Sequence, residues 1–211
     1  KCGMYEDAIK HYRRALELSD TARKARRELV LVYNRLEMYE EAYEMAKENY
    51  ERDRNNAFYL QAYIESLIRV HPEEGGLVLE LIDELDQNRF QFAKEMALLA
   101  RADYQAHIEE DLDEALRIVG AAQEAGIHTD STYVAYKEFR MADLRHDLGR
   151  MHQAYDRMKA ITDSGKNKDA NLLMLMEARI CANVGQKEKA LALIDKLFYP
   201  QSVKDKWKRQ L

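Results

Sequence analysis

Hydrophobic residues recur at helical spacing along most of the chain. Leu29, Val32, Tyr33 and Leu36 form one stripe, Leu60, Tyr63, Ile64, Leu67 and Ile68 another, and Leu173, Met176, Ile180 and Val184 a third. A period near 3.6 residues places each set on one face of an α-helix and leaves the charged residues on the other. Short polar breaks, such as Asp163 to Asn167, separate the stripes. The pattern predicts helices over residues 4–19, 21–36, 39–53, 57–70, 73–86, 91–109, 111–125, 131–148, 151–163, 169–184, 187–198 and 202–211. With 2 Pro and 8 Gly among 211 residues, the turns that a sheet protein needs are scarce.

A second, longer period lies over the helical one. The phrase carried by Gly3, Tyr5, Ala8, Ile9, Tyr12, Ala15 and Leu16 returns around Tyr39, Glu41 and Ala42, and again around Ala115, Ala154 and Ala190. Gly76 fills the gap between Ala42 and Ala115, so the anchors run Ala8, Ala42, Gly76, Ala115, Ala154, Ala190 in steps of 34, 34, 39, 39 and 36. Each repeat then reads as two antiparallel helices, A and B, with the small anchor where they cross closely. Gly3, Gly149 and Gly185 fall at the A–B turns, where a left-handed residue ends helix A at little cost. Glu37, His71 and Glu110 hold the other turns, which must be shaped differently or carry strain. The first helix is a B helix with no A partner ahead of it, so its stripe should be half exposed. Trp207 opens either a further repeat or a capping helix, and Lys204, Lys206, Lys208 and Arg209 favour solvent around it. The chain is expected to be a piece of a longer protein.

These phrases resemble the tetratricopeptide repeat family over nearly the whole chain. The resemblance implies an all-α solenoid of antiparallel helix pairs wound as a right-handed superhelix. It implies one array: a half repeat over 1–20, repeats over 21–54, 55–89, 90–128, 129–166 and 167–200, and a cap or new repeat over 201–211. The family's tryptophan slot holds Leu60, Leu99, Glu138 and Met174 here. In the family, ligands lie in a concave groove lined by A helices. Carried over slot by slot, one line holds Arg27, Gln61, Ala100, Phe139 and Leu175, and the line one turn later holds Leu31, Glu65, Tyr104, Asp143 and Arg179. Neighbouring slots give Arg101 and Arg140, and Lys24, Phe58 and Tyr136. Arg side chains there would grip carboxylates while the rings supply rigid apolar area. The family's clamp for chaperone tails, a Lys and an Asn one turn apart, is not matched: Arg27 is followed by Leu31 and Gln61 by Glu65.

Composition narrows the function. Lys+Arg number 33 against Asp+Glu 38, for a net charge of -5. A protein that neutralises many phosphates normally carries a basic surplus, so direct nucleic-acid binding is not expected. No apolar run approaches the length of a membrane helix. Cys2 and Cys181 show no metal or disulfide spacing, and a reducing cytoplasmic setting is the simplest. The acidic run Glu109 to Glu114 lacks the Gly and ligand spacing of a calcium loop and suits a helix N-terminus. His146, Asp147 and His152 are the nearest approach to a metal set but straddle a turn. The basic cluster Arg23, Lys24, Arg26 and Arg27 reads as a solvated face. No catalytic motif is present, so neither enzyme activity nor a cofactor is expected. The expected function is a protein-interaction module that binds a peptide or protein surface, as scaffold, sensor or regulatory region. The alternative is a regulatory array of a nucleic-acid-linked protein whose effector domain lies outside this chain.

Overall fold

Helix periodicity dominates the computed structural model of the chain, which describes residues 4–19, 22–124, 131–163 and 170–211. Among these residues twelve α-helices pack as adjacent antiparallel partners, and there are no strands. The chain divides into two compact units, residues 1–111 and 112–211. Unit 1 holds α1 (Met4–Leu18), α2 (Arg23–Arg35), α3 (Tyr39–Arg52), α4 (Ala57–Val70), α5 (Gly75–Asp86) and α6 (Ala93–His107). Unit 2 holds α7 (Leu112–Glu124), α8 (Ser131–Leu144), α9 (Leu148–Asp163), α10 (Ala170–Asn183), α11 (Lys187–Lys196) and α12 (Gln201–Arg209).

The predicted stripes form the cores. In unit 1, Leu29, Tyr33, Leu60, Tyr63, Ile64, Leu67 and Ile68 are buried in one cluster with Ala42, Val78, Ile82 and Leu85. In unit 2, Met176 and Ile180 join Phe139, Ala142, Met151, Ala154 and Met158. A fully buried Leu or Met side chain contributes roughly 1.5–3 kcal/mol by leaving water. Val184 departs from its stripe and is exposed, because α10 ends at Asn183. The stripe of α1 (Ala8, Ile9, Tyr12, Ala15 and Leu16) is half-buried against the unit, as a helix covered on one side should be.

Turn geometry corrects the repeat register. The left-handed residues are Glu37 (φ 54°), Glu110 (φ 55°), His146 (φ 57°) and Gly185 (φ 78°). At three of these turns the amide just after the left-handed residue reaches back six-to-one: Met38 to Tyr33 O, Asp147 to Ala142 O and Gln186 to Cys181 O. Gly149 is therefore not the turn residue of its repeat; His146 is, and Gly149 lies inside α9. Helix α8 accordingly ends at Leu144 rather than near residue 148. His71 adopts no left-handed conformation, since Pro72 has no N–H to close such a turn and instead starts a 3₁₀ turn, Pro72–Glu74. Gly3 lies outside the described residues.

Five residues past each left-handed residue sit Ala42, Ala115, Met151 and Ala190, and Val78 has the equivalent place in α5. All five are fully buried. Gly76, taken from the sequence as an anchor, is exposed with open space around it, and Gly75 faces the core instead. Ala154 is buried but lies about one turn beyond the equivalent position. The structural steps from Ala42 are thus 36, 37, 36 and 39. The slot accepts Val78 and Met151 because its cores supply small residues elsewhere: Ala93, Ala97 and Ala100 in unit 1, Ala135 and Ala142 in unit 2.

Two charged residues expected in solvent are buried. Arg26 is 5% exposed, donating to Glu48 Oε1 at 3.1 Å and to buried Asn49 Oδ1 at 3.3 Å. Lys204 on α12 donates its ammonium to Asp195 O at 3.0 Å. Beside it, Trp207 packs edge-on against Tyr199 with ring centroids 4.8 Å apart.

Candidate binding surface

In unit 1 the A-type helices α2, α4 and α6 carry the predicted surface residues. Asn56 starts α4 by accepting hydrogen bonds from the Phe58 and Tyr59 amides, which fixes the direction in which Phe58 leaves the helix. The Arg27 guanidinium lies 5.6 Å from the Phe58 ring centre and also meets Glu28 at 3.4 Å. Leu31, one turn further along α2, is 47% exposed and Phe58 is 43% exposed. Gln61 donates to Glu65 Oε1 at 3.0 Å, so these two half-buried groups partly satisfy each other. Arg101 donates to Asp83 Oδ1 at 2.5 Å, from α6 to α5. Tyr104 is buried, and its hydroxyl donates to Glu109 Oε1 at 2.6 Å. That bond, followed by burial, raises the Tyr104 hydroxyl above its ordinary range.

Two aromatics extend this surface that slot-by-slot reasoning missed. Phe90 lies 5.0 Å from Phe58, and Phe92 lies 5.5 Å from Phe90. Both belong to the connection before α6, which Asn88 shapes by accepting from the Phe90 amide and donating to Asn55 O. The available signal was the pair of Phe residues, 90 and 92, in an otherwise polar stretch outside any helical stripe. Arg27, Phe58, Phe90 and Phe92 thus make a continuous cation-and-ring ladder.

Unit 2 places its predicted residues differently. Phe139 is 1% exposed and belongs to the core. Tyr136 is half-buried; its hydroxyl accepts from Arg140 at 3.4 Å, and the Arg140 guanidinium lies 6.0 Å from its ring centre. Asp143 is buried and accepts from Arg179 Nε at 2.7 Å and Asn183 Nδ2 at 2.9 Å. The two residues expected to meet a ligand from adjacent A helices are therefore bound to each other. His146 continues the network, its Nδ1 lying 2.5 Å from Asn183 Oδ1.

The remaining chemical candidates take structural roles. His152 Nδ1 meets Leu148 O at 2.8 Å and Asp147 accepts from the Arg150 amide at 3.1 Å, so His146, Asp147 and His152 are each engaged separately. Among the described residues no group of three His, Cys, Asp or Glu is placed to hold a metal ion. In the acidic run, Asp113 pairs with Arg145 and Glu114 with Arg117. No helix of the described residues is long and apolar enough to cross a membrane.

Adjacent antiparallel helix pairs, repeated turns and a recurring buried slot define a helical-repeat protein. Its fold is similar to that of a tetratricopeptide repeat protein from Parabacteroides merdae, with a TM-score of 0.64 over 98% of this chain and 77% of that one. The two sequences are 14% identical, so the likeness is one of fold. No family model and no curated protein matches the sequence.

Proposed function

We propose that the chain is a protein-interaction array that holds a peptide or protein segment against its A helices, as a scaffold, sensor or regulatory part of a larger protein. The observation that carries this is the ladder of exposed Arg27, exposed Phe58 and half-buried Phe90 beside exposed Leu31. An exposed ring next to a guanidinium, backed by a half-buried one, is the composition of an interface anchor rather than of a solvated face. Site-specific photocrosslinking from position 31 tests it. Adducts with peptides or proteins are expected, and Arg27→Glu with Phe58→Ala should reduce them at least about tenfold, the loss of one anchor residue. Equal adduct yield from that variant, with unchanged circular dichroism, defeats the reading.

A further inference from the structure

The ladder has a charged continuation along the starting edge of α2, α4 and α6. Lys24, Phe58 and Lys94 each lie sixteen residues past Ala8, Ala42 and Val78, which hold equivalent places in α1, α3 and α5. Each is the second residue of its helix, and all three are exposed. One ring thus stands between two cations on three successive A helices. Contacts between the elements hold the row together. The Tyr59 hydroxyl donates to Arg23 O at 3.3 Å, from α4 to α2, and the Phe58 ring meets Phe90 in the connection to α6. Sign is segregated here although the chain carries a net charge of -5. Over residues 23–31, 53–58 and 86–95, six of the exposed charged residues are cations and one, Asp86, is an acid. Glu28, Asp53 and Glu95 are half-buried, and the first two already meet Arg27 and Arg23. Lys24 and Lys94 make no ion pair among the described residues. Helices α2 and α4 carry no acid in their first turns, so their positive ends add to the same sign.

We propose that this row docks an extended acidic peptide segment, with one apolar side chain against Phe58 and carboxylates against Lys24 and Lys94. The segment is the ligand of the ladder surface, and its assignment rests on the function proposed above. Neighbouring packed helices lie about 10 Å apart. An extended chain rises about 3.3 Å per residue, so it crosses from one helix to the next in about three residues. The fitting sequence therefore has an apolar residue with an acid about three residues before it and another about three after. Phe58 offers the apolar residue an exposed ring, oriented by the Asn56 cap at the helix start and by Phe90 beside it. Arg27, 5.6 Å from the same ring centre, is a third cation for the acidic flank. The two lysines are point charges on flexible stems, which suits a single carboxylate at either end.

The test is fluorescence anisotropy with the whole chain and a labelled, terminally blocked peptide. The peptide has a central phenylalanine, a glutamate three residues to either side and alanine between. Saturable binding is expected. It should weaken at least about fivefold when both glutamates become glutamine or in Lys24→Gln/Lys94→Gln, and further in Lys24→Glu/Lys94→Glu. Alanine in place of the peptide phenylalanine should weaken it at least about tenfold. The peptide changes leave the protein untouched, so a folding defect cannot produce their effects. Absence of saturable binding overturns the proposal, and so does equal binding by the glutamine peptide. Binding of a single-stranded oligonucleotide in place of the peptide overturns it as well. In each case, adducts from position 31 that depend on Arg27 and Phe58 leave the protein-binding function standing, whereas adducts independent of those residues defeat both.

Discussion

Gly75 and Gly76 are adjacent in sequence, but only Gly75 has neighbours where a side chain would go. A Cβ on Gly75 would lie 3.2 Å from Ile108 Cγ2 and 3.6 Å from Tyr104 Cε2, whereas one on Gly76 would meet nothing within 4 Å. Both glycines are helical. Gly76→Ala should therefore stabilise unit 1 by about 0.5–1 kcal/mol through reduced backbone freedom. Gly75→Ala should lack that gain or destabilise. Urea denaturation of the two variants checks the register directly. Burial also sets the chemistry of two tyrosines. Tyr50 is pushed up to about 12, first by burial and then by its bond to Glu84. Tyr63 is pushed up to about 12 by burial and by neighbouring Tyr43. A raised folded-state value means the neutral form is favoured in the fold. The associated stability is complete below pH 10 and is lost as pH rises from 10 through about 12. Ultraviolet titration should show a late tyrosinate step near pH 12 that shrinks in Tyr50→Phe and Tyr63→Phe.

At the scale of the element, the turns decide more than the helices. Glu110 carries a left-handed conformation that glycine adopts without a Cβ penalty. Glu110→Gly should stabilise unit 1 by about 0.5–1 kcal/mol, and Gly185→Ala should destabilise unit 2 by a similar amount. A matched pair of thermal melts with opposite signs is the expected result; equal shifts in one direction would refute the turn assignment. The buried slot reached from these turns allows a further check. Ala115 has no exposed surface, so Ala115→Trp should cost about 1–3 kcal/mol or more by overpacking. Calorimetry of that variant measures it. The helices themselves were legible in the sequence because apolar residues at i, i+3, i+4 and i+7 leave few other ways to bury a face. Their junctions were less so. Gly149 drew the turn toward itself by composition, but Asp147 accepts from the Arg150 amide at the start of α9 and His146 takes the strained place before it.

For the molecule as a whole, net charge and fold are the quantities that bear on partners. With a net charge of -5, the chain should not retard duplex DNA in a gel-shift assay at physiological salt. Retardation there would favour a nucleic-acid role over protein binding. The helical-repeat architecture was legible as a period of similar phrases, and the chain has the fold that those phrases suggested. The candidate surface was legible only in part. Arg27 and Phe58 do lie together in the open, while Phe139 and Tyr104 turn into their cores and Asp143 and Arg179 bind each other. Slot equivalence fixes which helix a residue belongs to, but a rotation of some tens of degrees separates a wall-lining residue from a core residue. That rotation follows from packing against neighbours distant in sequence.

The sequence by itself determined that the chain is helical, that its helices pair, and where most of them begin and end, because backbone hydrogen bonding and stripe burial are local. Only the tertiary structure decided which small or large residue fills the recurring slot, since Val78 and Met151 fit by complementarity with alanines elsewhere in their cores. It also decided that Arg26 and Lys204 are buried against specific oxygens, and that Lys47, Tyr50, Tyr63 and Leu81 meet around one cleft. Those contacts join residues of different helices, and no periodicity along a single chain specifies how neighbouring helices are rotated against each other.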